Sequence, residues 1–141
     1  MPRPKKRTPE VEEVRPSVEG VAKNLVDKLS GPAWGTRLTD LEDLLLDIRE
    51  VLTAQMLAES LARQAAAHDQ QAPAHRACPG CQQPLPCPDA NPRLLATRAG
   101  QATWSEPAGS GDRCRRAFFP QAKSLGIDHS ETSPALLQKI T

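Results

Sequence analysis

The chain has 141 residues, 18 Lys plus Arg against 17 Asp plus Glu, and 38% hydrophobic residues, which limits it to one modest domain or two small subdomains and excludes a large enzyme. Two Trp, two Phe and no Tyr leave few bulky side chains for a core, while 14 Pro and 8 Gly interrupt regular structure often. No long uncharged apolar run is present and none follows the N-terminal basic residues, so neither a membrane partner nor a secretory signal is expected. The expected location is cytoplasmic, nucleoid-associated if the protein binds DNA.

The net charge of +1 divides into +2 over residues 1–15, −3 over 16–67 and +2 over 68–141. Residues 1–15 open on Pro2, Pro4 and Pro9 with Lys5, Lys6 and Arg7 and no apolar periodicity, so nothing offsets the entropy of ordering and a flexible basic arm is expected. Lys5, Lys6 and Arg7 are candidate phosphate contacts; a solubilising tail has the same composition.

Residues 16–67 read as helical. Ser17 after Pro16 precedes Val18, Val21, Leu25 and Leu29 at helical spacing, and Gly31-Pro32 ends the pattern. A second, longer helix starts at Thr39, whose hydroxyl forms a capping box with Glu42. Leu38, Leu41, Leu45, Ile48, Leu52 and Met56 then recur every three or four residues, widened by Leu44, Val51, Leu57 and Leu61. The stripe exceeds what the first helix can cover. It either folds back on the rest of the chain or pairs between subunits, which makes Leu41, Leu45, Ile48, Leu52 and Met56 the candidate interaction residues of a homo-oligomer. Asp40, Asp43, Asp47, Glu50 and Glu59 fall largely on the opposite, solvated side and do not form a catalytic cluster.

After a linker at 68–77, Cys78-Pro79-Gly80-Cys81 places two cysteines on one turn, as a metal knuckle requires. Arg93–Thr97 and Ala102–Glu106 read as two short strands about a Gly-bearing turn. A hairpin between cysteines is the zinc-ribbon layout, but Gly111-Asp112-Arg113-Cys114 offers one thiol where the second knuckle needs two. Cys87 or His75 could supply the fourth zinc ligand beside Cys78, Cys81 and Cys114. Arg93, Arg98, Arg113, Arg115 and Arg116 surround this segment and are candidate DNA phosphate contacts. Phe118 and Phe119 are read as packing against Trp104. Ser133-Pro134 marks a helix start at the chain's end.

Cys78, Pro79 and Cys81, Thr97 and Gly100, Cys114 to Pro120, Leu125 to Ile127, and Ser133-Pro134 together resemble the N-terminal part of insertion-sequence transposases of the ISKra type, over about residues 38 to 141. The resemblance implies that Gly111 stands where the family has a zinc-ligand cysteine. It also implies a following catalytic region with three acidic metal ligands, before which this chain stops.

The expected fold is therefore mainly α, with a small β-hairpin zinc-ribbon-like segment at 78–120, a loop and the start of a truncated helix at 121–141, and the basic arm. No catalytic constellation is found, as His68, His75 and His129 are scattered. The expected function is a truncated, non-catalytic transposase-like protein that binds DNA and associates with itself or a transposase subunit through the long helix. The alternative is a helical protein-interaction module with a vestigial cysteine segment.

Overall fold

The structure is a computed structural model that describes residues 8–29, 33–67, 77–78, 80–82, 87–110, 117–127 and 131–140. The chain divides into two compact units, Met1–Leu44 and Leu45–Thr141. Its described part is mainly helical with one small antiparallel sheet.

In the first unit, helix α1 spans Pro9–Lys28. Pro9 pre-sets the first turn, Glu10 and Glu12 meet the positive end of the helix dipole and Lys28 the negative end. The helix therefore starts eight residues ahead of the expected Ser17, and residues 9–15 are not part of an unstructured arm. Pro16, read from sequence as a boundary, lies inside the helix. It forfeits one backbone bond, and Arg15 spans the spot with exposed ion pairs to Glu12 at 3.4 Å and Glu19 at 3.9 Å. No residue of α1 is buried. Between the helices, Thr36 donates both its amide and its hydroxyl to the Ala33 carbonyl, closing a turn on which Trp34 is fully exposed.

Helix α2 spans Leu38–Ala66 and crosses from the first unit into the second. It begins ahead of Thr39, with the Arg37 carbonyl accepting the Leu41 amide, so Thr39 lies within the first turn and is not the cap. In the second unit, β1 (Asp89–Thr97) and β2 (Gly100–Ser110) form an antiparallel hairpin with Asp89 opposite Ala108 and Thr97 opposite Gly100. Strand β3 (Ala117–Phe118) pairs with the end of β2, giving the order β1-β2-β3. The strands are longer than expected because Pro92 does not stop β1, an edge strand, which is where Pro is tolerated in sheets.

The Thr-x-x-Gly of the hairpin is a turn device. Thr97 Oγ1 accepts the Ala99 amide at 3.0 Å and donates to the Gly100 carbonyl at 2.8 Å. Gly100 takes φ +106°, a positive-φ step directly after the two-residue turn at Arg98-Ala99. The same glycine lies against α2: a Cβ there would stand 3.0 Å from the Ala54 Cβ. Nearby, Thr53 Oγ1 lies 2.8 Å from the Ala99 carbonyl. Gly100→Ala is expected to lower the unfolding free energy by roughly 1–3 kcal/mol, from backbone strain and lost approach of hairpin to helix, as measured by urea unfolding. Unchanged stability would mean that the hairpin does not depend on this contact.

The core joins Leu61 and Ala65 of α2, Leu95 of β1, Ala102 and Trp104 of β2, and Ala122 and Ile127, with Leu57, Ala58, Phe119 and Leu125 packed against it. Helix α3 (Pro120–Leu125) has Pro at its start and ends on Gly126 at φ +73°. The Ile127 amide bonds the Ala122 carbonyl and the Gly126 amide the Lys123 carbonyl, a Schellman ending whose flanking residues Ala122 and Ile127 both enter the core. Gln121 is buried and accepts from Trp104 Nε1 at 2.9 Å while donating to the Leu61 carbonyl at 2.9 Å and Gln64 Oε1 at 3.0 Å.

In segment 121–141 the expected helix start is α4 (Pro134–Ile140), and α3, which was not expected, occupies the first part of what read as a loop. Ser133 caps α4, its Oγ accepting the Leu136 amide. Chain 131–133 adds to the open side of β1: Ala96 donates to the Glu131 carbonyl and accepts from the Ser133 amide, both at 2.8 Å. Tertiary anchoring of this kind stabilises a helix too short to stand alone.

Candidate association face and cysteine site

Two sides of α2 carry apolar residues. At 100° per residue, Leu41, Ile48, Leu52 and Met56 fall within about 60° of Leu45, whereas Ala54, Ala58, Leu61 and Ala65 fall within about 40° of the opposite direction. Leu61 and Ala65 are buried in the core. The helix thus packs on the sheet with its alanine side, and the leucine stripe points elsewhere. Leu45, Leu52 and Met56 are 47%, 39% and 58% exposed, and Leu41 and Ile48 are half-buried. Leu38, Leu44 and Val51 are exposed as well.

The acidic residues Asp40, Asp43, Asp47, Glu50 and Glu59 are all exposed. Asp47 and Glu50 share an open groove with Arg49, Thr53, Arg98 and Gly100, so the hairpin tip, with Arg98, lies beside carboxylates. Arg98 is exposed and, among the described residues, in no ion pair, whereas Arg93 is committed within the chain. Its Nη1 donates to Glu106 Oε1 at 3.1 Å, with the two side chains 12% and 3% exposed. Glu106 Oε2 is buried and has no hydrogen-bond partner among the described residues. An arginine held in a nearly buried ion pair is not presented to phosphate. Arg113, Arg115, Arg116, Lys5, Lys6 and Arg7 lie outside the described residues.

Around the cysteines, the Gly80 amide donates to Cys78 Sγ at 3.4 Å and the Gln82 amide to the Cys78 carbonyl at 2.8 Å. Gln82 adopts φ +58°, the single positive value for a residue other than glycine among the described residues. The turn thus aims a backbone amide at the Cys78 sulfur, which favours a thiolate there. Cys78 is buried, Cys81 half-buried, and none of Cys78, Cys81 and Cys87 is in a disulfide. Cys87, also buried, borders an open groove of about 380 Å³ with Ala62, Ala66, Ser105 and Pro107. Among the described residues no three metal-ligating side chains come together, so Cys87 is not gathered with Cys78 and Cys81. Cys114 and His75 lie outside the described residues.

Register places the chain on either side of 111–116, the segment that carries Cys114. Asp89, two residues after Cys87, pairs with Ala108, and two residues further along β2 Ser110 pairs with Ala117. The start of β1 and the strand ends on either side of 111–116 therefore share one end of the sheet. Phe118 is buried and Phe119 packs on the Trp104 cluster, so neither offers a face for stacking on bases.

Sequence reading missed Trp34, whose full exposure on the turn before α2 is invisible without burial data, and Gln121, whose only signal was its place after Pro120 at a helix start. No family model, curated protein or solved structure matches the chain.

Proposed function

We propose that the protein is a non-catalytic association module: a small unit built on the β1–β2 hairpin holds α2 by its alanine side and presents the leucine side for docking with another helix. The observation that carries this reading is the opposition of the two apolar sides, one in the core and one exposed. A surface helix ordinarily has one apolar side, and it faces the core.

Zinc belongs to this reading as the organiser of the cysteine segment. Cys78 and Cys81 would be two ligands and Cys114 a third, with the fourth from His75, or from Cys87 after a local rearrangement that brings it to Cys78 and Cys81, with which it is not gathered here. The amide-to-sulfur bond of the Cys78 turn and the shared sheet end support it. When bound, the metal would supply folding energy and no reaction chemistry.

DNA contact of the transposase-like kind is the second reading. The cluster of Arg113, Arg115 and Arg116 in the sequence favours it. It is the weaker reading, since Arg93 is ion-paired and Arg98 lies beside carboxylates.

The association reading is tested by sedimenting the fluorescently labelled chain, alone and in extract of its native cells. The wild type is expected to run well above the 15.3 kDa of one chain in at least one of the two. Leu45→Glu/Leu52→Glu should run at that mass in both, with unfolding free energy changed by less than about 0.5 kcal/mol because the stripe is outside the core. A wild type at single-chain mass in both conditions would overturn the reading.

A further inference from the structure

Building on the association reading, we propose that the leucine side of α2 docks on the same side of a second copy, antiparallel, about a two-fold axis that crosses the helix between residues 46 and 47. Leu38, Leu41, Leu45, Ile48 and Leu52 follow alternate steps of three and four, the seam positions of a heptad repeat. This seam is flanked by Leu44 and Val51 on one side and by Glu42 and Arg49 on the other. These flanking residues decide the direction of pairing.

In the antiparallel register that sets Leu45 against the partner's Ile48, Leu41 meets the partner's Leu52. On one flank Leu44 lies beside the partner's Val51. On the other Glu42 lies beside the partner's Arg49. Two-fold symmetry makes every such pair twice. Parallel pairing sets Arg37 beside the partner's Glu42 and Val51 beside the partner's Met56, but it also sets Arg49 against the partner's Leu44, a charge against an apolar flank, and leaves the two leucine-valine contacts unmade. Glu42 and Arg49 are exposed and, among the described residues, in no ion pair. They are available to a partner. The same register leaves Gln55 at the end of the seam, opposite the partner's Leu38, where its amide keeps contact with water.

The experiment is sedimentation equilibrium on the purified full chain. The wild type is expected at about twice 15.3 kDa. Glu42→Arg and Arg49→Glu should each weaken dimerisation roughly tenfold, since each turns two attractive pairs into two repulsive ones. The double variant Glu42→Arg/Arg49→Glu should return to within about twofold of the wild type, because the swapped charges meet again. Circular dichroism reports that each variant keeps its helix.

Weakening by Glu42→Arg alone, with no rescue in the double variant, would overturn the antiparallel register. A purified wild type that stays at 15.3 kDa would overturn the second copy as occupant. If the labelled chain still sediments heavy in extract, the association reading survives that loss, with a different partner on the same face.

Discussion

Trp104→Ala is expected to lower the unfolding free energy of the Leu45–Thr141 unit by about 3–5 kcal/mol, the usual cost of truncating a large buried aromatic. That is a large share of the stability of a chain this size. The indole is 5% exposed and lies among Leu61, Ala65, Leu95 and Ala122, so its removal opens the one place where helix, hairpin and α3 meet. It also removes the donor to Gln121 Oε1. Gln121 in turn supplies hydrogen bonds to the Leu61 carbonyl and to Gln64, so the loss reaches α2. Trp104→Phe separates the two contributions: it keeps most of the ring but strands the Gln121 acceptor, at a cost of roughly 1–3 kcal/mol. Urea unfolding followed by circular dichroism measures both. A loss below about 1 kcal/mol for the alanine variant would show that the core is held elsewhere.

Zinc-loaded protein is expected to carry one equivalent of metal and to lose much of its folded β-structure when a chelator removes it. Structural zinc contributes on the order of 10 kcal/mol to a small domain, more than a core as poor in large side chains as this one can replace. Cys78→Ser should abolish binding, because Cys78 is the sulfur that the Gly80 amide already addresses. Gly111→Cys, which adds a second cysteine three residues before Cys114, should raise affinity sharply. Unchanged affinity would mean that Cys87 or His75 already closes the site. Cobalt substitution gives the direct readout, since thiolate ligation produces an intense sulfur-to-metal charge-transfer band. Its absence, together with metal content well below one equivalent, would remove zinc from the account and leave α2 as the functional element.

Much of the fold was legible in local chemistry. The length of α2 followed from an unbroken helical run, the hairpin from strand-forming residues about a glycine, and the start of α4 from Ser133-Pro134. The errors have physical causes. Pro16 was taken as a boundary because Pro usually ends a helix, yet one lost backbone bond is affordable once Pro9 and the acidic first turn have set the helix earlier. Helix α3 was missed although Pro120 and Gly126 bracket it, because six residues are too few to show a period.

The candidate site was legible only in part. Leu41, Leu45, Ile48, Leu52 and Met56 were identified by their period, and most of that row is exposed. Which side of α2 the sheet would take was not readable. Ala54, Ala58 and Ala65 are weak hydrophobic signals next to a row of leucines, yet their small size is what lets the helix approach Gly100 and the hairpin closely. Arg93 read as a free cation because its partner, Glu106, is thirteen residues away and reaches it only through the strand register.

The amino-acid order alone settled the periodic and the punctuated features: helical spacing, the serine that caps α4 and the glycine of the hairpin turn, each written within a few neighbouring positions. Long-range packing decided the rest, namely the side of α2 that enters the core, the arginine withdrawn from the surface, and the seating of 131–133 on β1. The reason is that local conformation depends on torsions and hydrogen bonds between near neighbours, whereas burial is allotted by competition among surfaces distant in sequence, and a row of small alanines can win that competition by fitting more closely than a row of leucines.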